Sequence, residues 1–165
     1  MSSSHKNLSD FQGNEIPNAA NYTFAIVWSE WNHEITHALK EGALQFLLKH
    51  GAKQENIHIN NVPGSFELVL GSQYFLENTE VDAVIALGCV IQGETRHFDF
   101  ICNAVAQGIT QLNINYSAPV IFGVLTPDTQ QQAIDRAGGK HGNKGEEAAA
   151  TAIKMLALRD TFNKE

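Results

Sequence analysis

The sequence predicts an α/β domain in which a parallel sheet of four strands is covered on both faces by helices. Three observations predict it. Four short apolar runs, at residues 23–28, 57–62, 83–90 and 119–125, alternate with segments of helical periodicity. The third run, AVIALGCV, is apolar throughout, as a strand buried on both faces must be. The connections are long enough to hold helices, so successive strands are joined by crossovers rather than hairpins, and crossovers impose parallel pairing.

Residues 1–21 carry Ser, Asn and Gly with little periodicity, and are expected to form a flexible or partner-bound tail ahead of one domain, 22–165. The strand at 23–28 comes first. Asn32 is the expected N-cap of a helix that runs to about residue 50, where Gly51 stops it. Ile35, Leu39, Gly42 and Phe46 form its core stripe. Leu44 and Leu48 lie on the other side, and a helix apolar on two sides hints at an oligomer. The strand at 57–62 ends in a Pro63-Gly64 turn, followed by a helix over 65–76. After the buried strand come a helix over 98–116, the fourth strand, a short helix over 129–136 and a final helix over 143–158.

Of the 165 residues, 43% are hydrophobic, enough for a substantial core. The net charge of -7 argues against a nucleic-acid footprint, which needs a basic face. A small anionic substrate stays compatible, because a local Arg and Lys cluster can oppose the global sign. No apolar run approaches the roughly 20 residues of a membrane span, and the polar first 20 residues lack a secretory h-region. A cytoplasmic location is expected, with Cys89 and Cys102 as reduced, buried thiols.

Four segments follow the four strands and share one edge of the sheet, where open α/β folds bind ligands: 29–32 (SEWN), 63–67 (PGSFE), 88–97 (GCVIQGETRH) and 126–128 (TPD). Trp31 can stack on a planar ring, although locally it reads equally as a hydrophobe capping the helix. Ser65 and Glu67 open a helix, where the dipole alone favours a carboxylate. His97 has the residue type that moves protons at neutral pH. Beyond the fourth strand, RAGGKHGNKG (136–145) sets three cations among four glycines before a helix start, which suits an anion. It is not a P-loop, because the G-K-[ST] ending is missing. His33-Glu34-Ile35-Thr36-His37 matches the H-E-x-x-H zinc-hydrolase signature. That reading is set aside: Ala43 stands where the longer form has a third His, the helix follows a buried parallel strand, and the two histidines face away from the core stripe.

Four stretches together resemble the lumazine synthase family: VPGSFE (62–67), GCVIQGETRHFD (88–99), PVIFGVLT (119–126) and QAIDRAGGKHGNKG (132–145). The resemblance runs from about residue 24 to 158. It implies a three-layer, flavodoxin-like α/β/α fold and a cofactor-free, metal-free condensation, the penultimate step of riboflavin biosynthesis. In it, 5-amino-6-(D-ribitylamino)uracil and 3,4-dihydroxy-2-butanone 4-phosphate give 6,7-dimethyl-8-ribityllumazine, phosphate and water. It also implies a homopentamer with active sites between neighbours, assembly of pentamers into icosahedral shells in many members, and association with riboflavin synthase. By position, Trp31 matches the aromatic that stacks on the pyrimidine. Ser65, Phe66 and Glu67 match the segment holding the ribityl chain, and Cys89, Val90 and Ile91 match backbone contacts to the same substrate. Glu94 and Thr95 match contacts to the butanone phosphate, and His97 the proton carrier. Phe122 and Arg136 match groups that complete the site from the adjacent subunit, Arg136 at the phosphate. Lys144 and Glu147 match flanking polar positions. The chain departs from the family pattern at Glu30, Arg96 and Gly139. A catalytically silent flavin-binding or shell-forming homologue is the alternative, against which the retention of His97 and Arg136 counts.

Overall fold

The computed structural model describes Asp10 and residues 15–162 of the chain. Most of the tail expected at 1–21 lies outside the described residues. Its end does not hang free: Ile16 packs on the core, Ala19 is buried, and the Ala19 N–H donates to the His50 carbonyl at 2.9 Å.

Four strands, β1 (Phe24–Ser29), β2 (Ile57–Val62), β3 (Ala83–Cys89) and β4 (Val120–Leu125), form one parallel sheet in the order β2-β1-β3-β4. The helices are α1 (His33–Lys49), α2 (Leu68–Asn78), α3 (His97–Tyr116), α4 (Gln130–Ile134) and α5 (Lys144–Phe162). The expected three-layer α/β/α architecture is the one observed. β3 is buried at every residue, and its alternate side chains feed two separate cores. Ala83, Ile85 and Leu87 join Phe24 and Ile26 under α1 and α5. Val84 and Ala86 join Ala25 and Val27 against Leu68 of α2 and Val105, Ile109 and Leu112 of α3. Period-two alternation along buried strands thus serves two helical layers at once.

Three expectations are corrected. First, α1 is apolar on two sides because it packs on the sheet and, side by side with it, on α5, and partly buried Leu44 and Leu48 pack against the chain's own core, which accounts for the pattern within one chain. Second, α2 begins at Leu68 rather than Ser65, because residues 65–67 form a turn in which the Leu68 N–H reaches the Ser65 carbonyl. Third, the glycine-rich basic segment, for which no strand is predicted, forms a short antiparallel ribbon, β5 (Ala137–Gly139) with β6 (Gly142–Asn143). Gly139 allows no side chain there: a Cβ would stand 2.7 Å from the Asp135 α-carbon. Lys140 pairs with Asp135 at 3.1 Å.

The contact between α1 and α5 is made close by missing side chains. Asn143 is buried, donates from Nδ2 to the Ala38 carbonyl at 3.0 Å, and accepts the Gly145 N–H at 2.8 Å. A Cβ on Gly42 would meet the Asn143 amide at 2.5 Å, and one on Gly145 would lie 1.9 Å from the Leu39 carbonyl oxygen. At the far end of the sheet, Tyr22 donates its hydroxyl to Asp160 at 2.7 Å, while Asp82 accepts from the Thr23 N–H at 2.8 Å and from Arg159 at 2.9 Å. This clasp ties the start of β1 to the end of α5. Burial and the Asp160 carboxylate push the Tyr22 phenol up to about 12.

Candidate active site

The chain leaves β1 toward β2 on one side and leaves β3 toward β4 on the other. The crevice beyond the carboxyl ends of β1 and β3 is therefore where an open parallel sheet receives ligands. A cleft of about 660 Å³ opens there, lined by residues of three predicted segments: Trp31, Ser65, Phe66, Glu67, Cys89, Val90, Ile91 and His97, together with Asn32, Gly64 and Ile101. Trp31 and Phe66 stand 74% and 55% exposed at its mouth, leaving large aromatic surfaces for a planar guest.

The β1–α1 turn sets Trp31. Asn32 holds the expected cap position but does not cap. Its backbone is left-handed (φ 58°), and its side chain makes no cap bond. Asparagine tolerates this conformation better than most residues. Its Nδ2 instead donates to the Cys89 carbonyl at 2.9 Å, tying the turn to the end of β3. The Trp31 N–H donates to the Pro63 carbonyl at 3.2 Å, and Glu30 accepts from Asn61 Nδ2 on β2. Gly64 brings the next wall close: a Cβ there would lie 2.9 Å from Glu67 Oε2 and 3.7 Å from the Trp31 ring.

Cys89 is buried at the floor, and burial first, then the neighbouring Cys102, pushes its thiol up to about 12. It stays neutral at physiological pH and offers shape and backbone rather than a nucleophile. Cys102 is only half-buried, contrary to the expectation of two buried thiols; both are free. His97 opens α3 with its side chain in the cleft, and its N–H donates to Thr95 Oγ1 at 3.4 Å. Arg96 is turned toward Asp99 (3.7 Å) and the Phe100 ring (5.9 Å). Glu94 and Thr95 are exposed in the loop before α3, outside the cleft lining.

The remaining candidates stand apart from the cleft. Phe122 is 36% exposed on β4, an edge of the sheet. Arg136 follows α4 and donates from Nη1 to the Gln132 carbonyl at 3.0 Å. Lys144 and Glu147 pair with each other at 2.7 Å on the first turn of α5. The predicted residues thus form two groups, a cleft group and an outer group. Three cleft residues escaped the sequence reading. Asn32 was read as a cap, Gly64 as turn chemistry, and Ile101 lies one helical turn after His97, a spacing that would have found it.

His33 and His37 stack on each other with ring centroids 5.4 Å apart and rest edge-on against Trp28. His37 approaches Glu41 at 3.8 Å. Among the described residues no group of three or more His, Cys, Asp or Glu is placed to hold a metal ion, and no helix is long and apolar enough to cross a membrane.

A family model described as 6,7-dimethyl-8-ribityllumazine synthase matches residues 21–160. Curated relatives carrying that name agree along nearly the whole chain. One from Cytophaga hutchinsonii is 64% identical over 157 residues, covering 95% of this chain and 98% of its own. One from Phocaeicola vulgatus is 54% identical over 164 residues (99% and 98%), and one from Flavobacterium psychrophilum 52% over 163 residues (99% and 86%).

Proposed function

The chain belongs to the 6,7-dimethyl-8-ribityllumazine synthase family, and from that membership we propose that it condenses 5-amino-6-(D-ribitylamino)uracil with 3,4-dihydroxy-2-butanone 4-phosphate. The products are 6,7-dimethyl-8-ribityllumazine, phosphate and water. The observation that carries this reading is the single cleft that gathers Trp31, Ser65, Phe66, Glu67, the 89–91 backbone and His97. Neither the silent-homologue reading nor zinc hydrolysis has comparable support.

The chemistry suits the residues. The uracil stacks on Trp31, with its ribityl chain along Ser65, Phe66 and Glu67. Its amine attacks the ketone to form an imine with loss of one water, phosphate leaves, the ring closes and a second water leaves. Each step moves a proton, and one histidine can serve several of them. Arg136 offers the departing phosphate a bidentate fork, with Glu94 and Thr95 beside it and Lys144 and Glu147 flanking. Phe122 covers the second face of the ring. Holding both substrates together supplies up to about 7–11 kcal/mol in well-oriented systems, so no cofactor is required.

We propose further that the enzyme is a cytoplasmic homopentamer, or an icosahedral assembly of pentamers open to association with riboflavin synthase, with Phe122 and Arg136 of one subunit completing the cleft of the next. β2 and β4 both end the sheet, and two unlike apolar patches flank them. Phe66, Leu70 and Tyr74 form an exposed stripe from the α2 entry onward. Ile114, Met155, Leu158 and Phe162 line a groove between α3 and α5. Unlike patches on opposite edges suit head-to-tail contacts that close into a ring. The test of function mixes purified protein with both substrates and follows lumazine absorbance and phosphate release. One phosphate per lumazine, undiminished after dialysis against a chelator, is expected; no lumazine at micromolar enzyme would refute the reading.

A further inference from the structure

At and beneath the floor of the cleft lie two hydroxyls that nothing among the described residues satisfies. Ser29 ends β1 and is fully buried; Ser65 lies in the turn before α2 and is 6% exposed. Neither Oγ has a hydrogen-bond partner among the described residues. Both converge on Gly88. A Cβ built there would stand 2.7 Å from Ser65 Oγ, 3.4 Å from Ser29 Oγ and 2.9 Å from Leu68 Cδ1. A missing side chain thus leaves room for two serine oxygens at the carboxyl ends of β1 and β3.

Burying a hydroxyl without a partner costs stability, because its bonds to water are lost and not replaced. Alanine would fit either position without that cost. Two such groups at one point under a binding cleft are a feature of a site rather than of a core. Ser65 lines the cleft and Ser29 does not. The two oxygens do not bond each other directly, so Ser29 meets a ligand only through a Ser65 hydroxyl that turns toward it or through a water held between them.

We infer that Ser29 is a positioning residue for Ser65, and that together over Gly88 they form a hydroxyl-recognising floor for the polyol chain of the uracil substrate. The inference rests on the proposed function. When the polyol binds, the Ser65 hydroxyl turns between Ser29 and the ligand, and Ser29, as its second partner, orients it toward the ligand hydroxyl. The pair reads the polyol and not the ring, and contributes to binding rather than to proton transfer.

The experiment compares the parent with Ser29→Ala, Ser65→Ala and the double variant. Binding of 5-amino-6-(D-ribitylamino)uracil and of 5,6-diaminouracil, which has the ring without the polyol, is measured by Trp fluorescence and calorimetry. Ser29→Ala should weaken the ribityl compound by about three- to tenfold and leave 5,6-diaminouracil unchanged. KM for the butanone phosphate and kcat should hold within about twofold. The double variant should be no worse than Ser65→Ala, because the two hydroxyls act as one unit. All three variants should melt at or above the parent temperature. Unchanged ribityl binding in Ser29→Ala would overturn the inference. So would a lowered melting temperature with both ligands weakened alike, the mark of a merely structural role. A parent that binds the ribityl compound yet forms no lumazine refutes the catalytic reading alone, and the binding series still decides on Ser29. A parent that binds neither compound refutes both.

Discussion

At the scale of single residues, His97 opens α3 after a glycine-containing loop that follows a buried strand, and it lines the cleft. His97→Ala should lower kcat by roughly 10- to 10⁴-fold while substrate binding changes little; steady-state kinetics at saturating substrate check this, and an unchanged kcat would remove His97 from the mechanism. Asn32 was misread because a cap and a left-handed turn draw on the same residue type, and only the distance to Cys89 separates them. The raised Cys89 thiol gives a second prediction. Its folded pKa is about 12 against an ordinary 9.0. Below pH 9 folded and unfolded chains both keep the proton and this group leaves stability untouched. As pH climbs from 9 toward 12 only the unfolded chain ionises, so stability falls across that window. Pulse alkylation at pH 8 followed by mass spectrometry should label half-buried Cys102 first, and Cys89 only at the rate of global unfolding.

The elements were legible where burial repeats with a fixed period. β2 was predicted at its observed bounds, and β3 and α3 within one residue at each end, because a bounded apolar run and a helical stripe are local signals that survive any change of partner. The β5–β6 ribbon was not, since its two strands hold three residues and two, too few to show a period. What fixes it is tertiary: the Asn143 amide plugs the gap left by Gly42. Asn143→Ala strips one carbonyl and one N–H of buried partners and should cost about 1–3 kcal/mol. Urea unfolding should show the midpoint falling with an unchanged m-value. Such a loss would also loosen the segment that carries Arg136 and Lys144, so KM for the butanone phosphate should rise in the same variant.

For the molecule as a whole, the family resemblance already assigns Phe122 and Arg136 to the adjacent subunit, and in the structure neither they nor Lys144 and Glu147 are among the residues that line the cleft. Shared sites make a sharp prediction. Two inactive variants, Trp31→Ala/His97→Ala and Arg136→Ala, are unfolded, mixed in equal amounts and refolded. Random mixing around a head-to-tail ring pairs two intact halves at about a quarter of the sites, and activity should return to that fraction. Mixed material that stays inactive despite proven subunit exchange would show that each site lies within one chain.

The clasp of Tyr22 and Asp160 has a topological meaning. Between residues 22 and 160 the chain is nearly a closed loop, its first strand and last helix held at one point by the Tyr22 hydroxyl and by the Asp82–Arg159 pair. The order in which the elements are written along the gene is then separable from the order in which they pack. Residue 22 joined to residue 160 through a short glycine linker, with new ends cut at the exposed turn around residues 53–55, should give a circular permutant with the same sheet and an intact cleft. Its new termini would sit beside the start of β2, at the end of the sheet opposite the cleft, where a cargo protein could be attached without touching the site.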